Sequence, residues 1–135
     1  MSKDTHKKLA LEDLMSRAEQ RALDKKVYKN VYIESLDGDL LVEKIPLPRV
    51  LSMVDGMNGA SMMEDLEFQA SVIYACCPVL REPALRDAYG VETVTDLVRT
   101  LFEDNMGAIS LVSEAILDFY GMADNKDAVK NTVKN

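Results

Sequence analysis

Apolar residues recur along this chain with the 3.6-residue period of helices nearly throughout, and with a strand-like pattern in one place. The first helical stretch covers 9–24, where Leu11, Leu14, Met15, Ala18 and Ala22 form one stripe between strong helix formers. Lys25 and Lys26 follow, with charges suited to a helix C-terminus. Such a stripe either packs on its own domain or docks as an arm on a partner or a second copy. Segment 27–36 then turns β-rich (VYKNVYIESL), Asp37-Gly38-Asp39 supplies a tight turn, and LLVEKIPL returns. That order predicts a β-hairpin over about 27–45. Pro46 and Pro48 bar further central-strand pairing and suit the start of a helix.

Five further helices are expected. The first covers 48–58 with Val50, Leu51 and Val54 inward and a break at Gly56 or Gly59. Ser61 and Glu64 match a capping box that opens the next helix, which runs to about Cys77. Its apolar residues fall on two faces, Met63, Leu66, Ala70, Ile73 and Cys77 on one and Phe68, Val72 and Ala75 on the other. A helix apolar on two sides is the candidate centre of the fold. Pro78 ends it, and a short helix over 83–89 stops at Gly90. Thr93 and Asp96 resemble a second N-terminal box, before a helix presenting Val94, Leu97, Val98, Leu101 and Phe102. After a break at 105–107, residues 108–120 align Ile109, Val112, Ile116 and Phe119, with Leu111 and Ala115 beside them and Gly121 as cap. The expected fold is mainly α (α+β): a compact helical domain of about five helices with one N-terminal β-hairpin. Its expected parts are an amphipathic arm, 1–26, the domain, 27–123, and a polar tail, 124–135.

Composition narrows the function. The chain has 135 residues, 47% of them hydrophobic, enough for one buried core. No apolar run approaches the roughly 20 residues that cross a bilayer, and residues 1–8 lack a signal-peptide core, so a cytoplasmic location without membrane contact is expected. The formal charge is −7. Residues 1–8 and the tail are slightly basic, which leaves the body, 9–123, at −10. A surface of that sign repels phosphate backbones, so nucleic acid is not an expected partner.

Chemistry is sparse. His6, the one histidine, lies in a polar segment with nothing to orient it, as catalysis would require. Cys76 and Cys77 are adjacent, a poor geometry for a disulfide, and too few donors accompany them for zinc. Glu64 and Glu67 share a helix face, but acids belong in a first helical turn without any metal. No glycine-rich loop matches a phosphate-binding motif. Met53, Met57, Met62 and Met63 cluster, as an adaptable apolar surface or as core filling. No catalytic residue, metal or cofactor is expected.

From Cys76 onward the chain resembles the XkdN-like family of phage tail assembly chaperones. The resemblance is carried by Pro78-Val-Leu, Pro83-Ala-Leu-Arg-Asp87, Ala88-Tyr-Gly-Val91, Leu97 with Leu101, Leu117-Asp-Phe-Tyr-Gly121 and the Lys-Asn pairs at 130–131 and 134–135. Leu11-Glu-Asp-Leu14 and the early β-rich segment are similar too. Where relatives commonly have Gly-Glu before the last core helix, this chain has Asn105-Met-Gly-Ala108, so a role tied to that acid does not transfer. The resemblance implies a non-enzymatic chaperone that binds the tape measure protein, and other tail proteins, in the host cytoplasm, and is absent from the mature virion. It also fits self-association into a homo-oligomer. The alternative is a structural or regulatory phage protein acting as an interaction module. Tyr28, Tyr32, Met57 and Met62, near the hairpin and the Met cluster, are the candidate partner-binding residues.

Overall fold

A computed structural model of the chain describes residues 6–23, 27–55 and 61–122. The expected break at Gly56 or Gly59, the side chain of Ala22, Met57 and the 124–135 tail lie outside the described residues. The fold is a helical α+β domain. In order it contains α1 (Leu11–Leu23), β1 (Tyr28–Ile33), β2 (Gly38–Glu43), α2 (Leu47–Asp55), α3 (Met62–Cys76), α4 (Pro83–Tyr89), α5 (Val94–Leu101) and α6 (Met106–Leu117).

The strands form an antiparallel pair in which Val31 faces Leu40, Tyr32 faces Asp39 and Ile33 faces Gly38. The turn lies earlier than the Asp-Gly signal suggests. Glu34–Leu36 form one 3-10 turn, Asp37 takes the left-handed conformation at φ 50°, and Gly38 already pairs within β2. A four-residue connection tolerates Asp at the left-handed position, because its short polar side chain suits that region. Val31, Ile33, Leu40 and Val42 point inward, and the alternate residues Tyr28, Tyr32 and Leu41 face out.

α3 is the hub, packed against α5, α6, α2 and β2. Val72, Ile73 and Cys76 are fully buried on it, together with Leu97 and Val98 of α5, Phe102, and Ile109, Val112 and Ile116 of α6. Burying each large apolar side chain contributes about 1.5–3 kcal/mol, which makes this cluster the main driving term of folding. Two residues expected to face inward are exposed, Leu51 at 42% and Met63 at 57%, and Val54 is half-buried. Val50 is the fully buried residue of α2, and Met63 lies in the exposed first turn of α3.

Caps set the helix boundaries. Ser61 Oγ accepts from Glu64 N at 3.1 Å and Thr93 Oγ1 from Asp96 N at 3.1 Å. Asn105 Oδ1 likewise accepts from Ala108 N at 3.1 Å, so Asn105 opens α6 and Gly107 lies inside its first turn rather than in a break. A Cβ at Gly107 would approach that same Oδ1 to 3.2 Å. Gly90 ends α4 in the left-handed region at φ 67°.

The hairpin is anchored to the far end of the chain. Lys29 Nζ donates to Ala115 O at 2.8 Å, reaches Asp118 at 3.5 Å and lies 4.7 Å from the centre of the Phe119 ring. Lys44 sits 5.6 Å above the Tyr120 ring. Tyr120, in the 3-10 turn Asp118–Tyr120, hydrogen-bonds Ile45 with its hydroxyl. These contacts hold the sheet's inner face on the core; on the outer face Tyr28, Tyr32 and Leu41 are exposed, and Glu43, opposite Tyr28, is buried.

Candidate interaction surface

The two cysteines singled out in the sequence lie in the core. Both Cys76 and Cys77 are fully buried and unpaired with each other. Burial pushes their thiols up to about 11 and about 12, so neither is a ready thiolate nucleophile at neutral pH. His6 is exposed and lies before α1. Among the described residues, no group of three or more His, Cys, Asp or Glu is placed to hold a metal ion.

A shallow cleft between α3 and α6 is lined in part by Asp65, Gln69, Ser110 and Ser113. Three of its polar side chains pair with one another. Gln69 Nε2 donates to Asp65 Oδ2 at 3.0 Å, and Ser110 Oγ donates to Gln69 Oε1 at 3.1 Å. No buried side-chain nitrogen or oxygen among the described residues lacks a partner.

Apolar surface is more prominent. Tyr28 and Tyr32, 48% and 53% exposed, share the outer face of β1. Two residues apart on each side of Asn30, their rings lie roughly 13 Å apart along the strand. Leu41, opposite Asn30 on β2, completes the face. The Tyr32 hydroxyl donates to Asp37 Oδ1 at 2.8 Å, which holds the ring over the turn and pushes its own pKa up. Met62 is 84% exposed on a different element, the first residue of α3. The two tyrosines thus share one surface, and Met62 belongs to another element.

A second exposed apolar surface was not among the candidate residues. Within α1 every described side chain is exposed except that of Asp13, which is half-buried. The stripe is therefore uncovered by the domain that follows it. The helix start is secured locally: Asp13 accepts from Ala10 N at 2.9 Å and from Lys7 Nζ at 2.8 Å. The bond from Lys7, then that from Ala10, keeps the Asp13 carboxyl below its ordinary range. The signal for this surface is the periodicity of 11–18, which shows that a stripe exists but not what it meets.

No helix among the described residues is long and apolar enough to cross a membrane. In comparisons with known proteins, the chain matches no family model, no curated protein and no solved structure.

Proposed function

We propose that this chain is a phage or prophage tail assembly chaperone that binds the tape measure protein and keeps it soluble during tail assembly. The observation that carries the proposal is the exposure of Tyr28 and Tyr32 on the outer face of the hairpin of a small acidic domain. The resemblance of 76–135 to XkdN-like chaperones supports the same reading. Aromatic side chains on a rigid sheet face suit an apolar helical client, because they offer large contact area with few rotatable bonds. Met57 and Met62 add adaptable thioethers that conform to varied sequences. The excess of acidic groups keeps such a complex dispersed.

Co-expression with the tape measure gene of the same cluster tests the proposal. The client should stay soluble and co-purify with this chain. Polar replacement of Tyr28, Tyr32, Met57 and Met62 should reduce that rescue without loss of the far-ultraviolet helix signal. Unchanged client solubility, and no pull-down by the wild-type chain, would reject the proposal. Stoichiometric retention in purified particles would favour the structural-module alternative.

A further inference from the structure

We infer that two copies of this chain pair through the outer edge of β1, antiparallel and in register about Asn30, to form one continuous sheet. The ladder of the hairpin shows which main-chain groups are available. Lys44 N donates to Val27 O at 2.9 Å, one step beyond the Tyr28–Glu43 pair in the same register. Bonded and non-bonded pairs alternate along an antiparallel ladder, so Lys29, Val31 and Ile33 bond to β2. The N–H and C=O groups of Tyr28, Asn30 and Tyr32 therefore point the other way, out of the edge of the sheet. All three residues are exposed, and among the described residues this sheet has no third strand. Nor does β1 carry the devices that guard an edge. Its register runs without a bulge from Tyr28 to Ile33, and no proline interrupts it. Its charged residue, Lys29, is turned inward and donates to Ala115 O.

The order of side chains along β1 selects a second copy as the occupant. With a two-fold axis at Asn30, Tyr28 of each copy faces Tyr32 of the other, and Lys29 faces Val31. Every outward N–H and C=O of the three residues then meets a counterpart, aromatic residues pair across the seam, and no like charges meet. Moving the axis to Lys29 would set that lysine against itself. Moving it to Val31 would set Tyr28 against Glu34, which lies beyond the strand in the 3-10 turn. The other edge of the hairpin does not fit its own copy: β2 paired about Leu41 would oppose Asp39 and Glu43, two acids, and Glu43 is buried. Pairing β1 with β1 uses the same surface on both copies, so it closes as a dimer and leaves no open chain. The axis stands perpendicular to the sheet, so the two outer faces lie side by side with their tyrosines outward. The contact goes beyond the proposed function. It uses main-chain groups in the plane of the sheet, leaves the outer face to its proposed client, and is tested without one.

Sedimentation of the full chain over a wide concentration range should show the mass rising from 15.1 kDa toward twice that value. Asn30→Lys places two like charges at the centre of the seam and should weaken dimerisation about tenfold or more. Asn30→Pro removes an N–H that β2 does not use, so the hairpin should persist while the dimer is lost. Far-ultraviolet circular dichroism checks that both variants stay folded. Asn30→Cys sets the two new thiols on Cα atoms about 5.5 Å apart, within disulfide range, whereas the native thiols are fully buried. Under mild oxidation it should form a covalent dimer much faster than Leu41→Cys, whose residue lies opposite on β2. A wild-type chain that stays monomeric overturns the inference. So does a folded Asn30→Lys or Asn30→Pro variant that dimerises like wild type, or an Asn30→Cys variant that cross-links no faster than Leu41→Cys.

Discussion

The Tyr120 hydroxyl bonds both polar groups of one residue 75 positions earlier: it accepts from Ile45 N at 2.9 Å and donates to Ile45 O at 2.6 Å. Ile45 follows β2 and is 7% exposed, so its backbone has little access to water. A single side chain thereby satisfies the peptide at the exit of the hairpin and ties the sheet to the end of α6. Tyr120→Phe should keep the ring under Lys44 but leave both Ile45 groups without that partner. The expected cost is about 1–3 kcal/mol, read as a lower urea midpoint. Hydrogen exchange should accelerate first in the hairpin amides, and an unchanged midpoint would show that water replaces the hydroxyl freely.

Phe102 is the largest fully buried side chain among the described residues and sits at the C-cap of α5. Phe102→Ala should cost about 3–5 kcal/mol, because the well-packed neighbours relax only partly into the space. Chemical denaturation is the measurement. A loss below about 1 kcal/mol would mean that α5 and α6 close over the cavity.

The turn between α5 and α6 holds two consecutive non-glycine residues in the left-handed region, Glu103 at φ 56° and Asp104 at φ 58°. Asp104 gains a bond from Arg99 Nε at 2.8 Å, which offsets part of its strain, so Glu103 is the cleaner site. Glu103→Gly should be neutral or stabilising by up to about 1 kcal/mol, where the same exchange inside a helix would destabilise. Thermal melts of Glu103→Gly and Glu103→Ala should differ, with the glycine variant melting higher.

Alkaline pH should unfold the domain progressively. Cys76 and Cys77 are raised by burial from an ordinary value of 9.0 to about 11 and about 12. Above pH 9 an unfolded thiol releases its proton while the folded one retains it, so the unfolded state binds fewer protons and stability falls as pH rises. Each thiol should contribute a slope of about 1.4 kcal/mol per pH unit, until its folded pKa is reached. The stabilisation is complete below pH 9 and lost through about 11 to 12. Tyr120, also raised mainly by burial, acts in the same direction. Cys76→Ala with Cys77→Ala should flatten urea midpoints measured between pH 9 and pH 11, and an unaltered slope would place the alkaline sensitivity elsewhere.

Much of the helical architecture was readable from local pattern because its causes are local. Ser61 and Thr93 cap the helices they were expected to open, and Gly90 and Gly121 adopt the left-handed conformation that ends a helix. The two-faced pattern of α3 identified the hub, since only a helix covered on two sides carries apolar residues there. Errors arose where neighbours decide. Leu51 and Met63 have the right spacing for burial, but no element among the described residues covers them. The Asp-Gly signal located the hairpin, yet Asp37 alone takes the left-handed position and shifts the turn toward Glu34. The bonds from Tyr120 to Ile45 and from Lys29 to Ala115 left no trace in periodicity, which records what faces a core and not which residue answers it. For the interaction surface, Tyr28, Tyr32 and Met62 were recognised as exposed candidates, whereas the α1 stripe was visible without any indication that it stays uncovered.

The anchoring of an early hairpin by residues near position 120 also bears on birth at the ribosome. Translation at roughly 5–20 residues per second separates synthesis of Ile45 from that of Tyr120 by several seconds. Throughout that interval the strands exist without the hydroxyl and carbonyl groups that will hold them, and their inner valines and isoleucine have no lasting cover. A nascent chain stalled before residue 115 should therefore be vulnerable to proteolysis within 27–45, and release of the last turn should seal it.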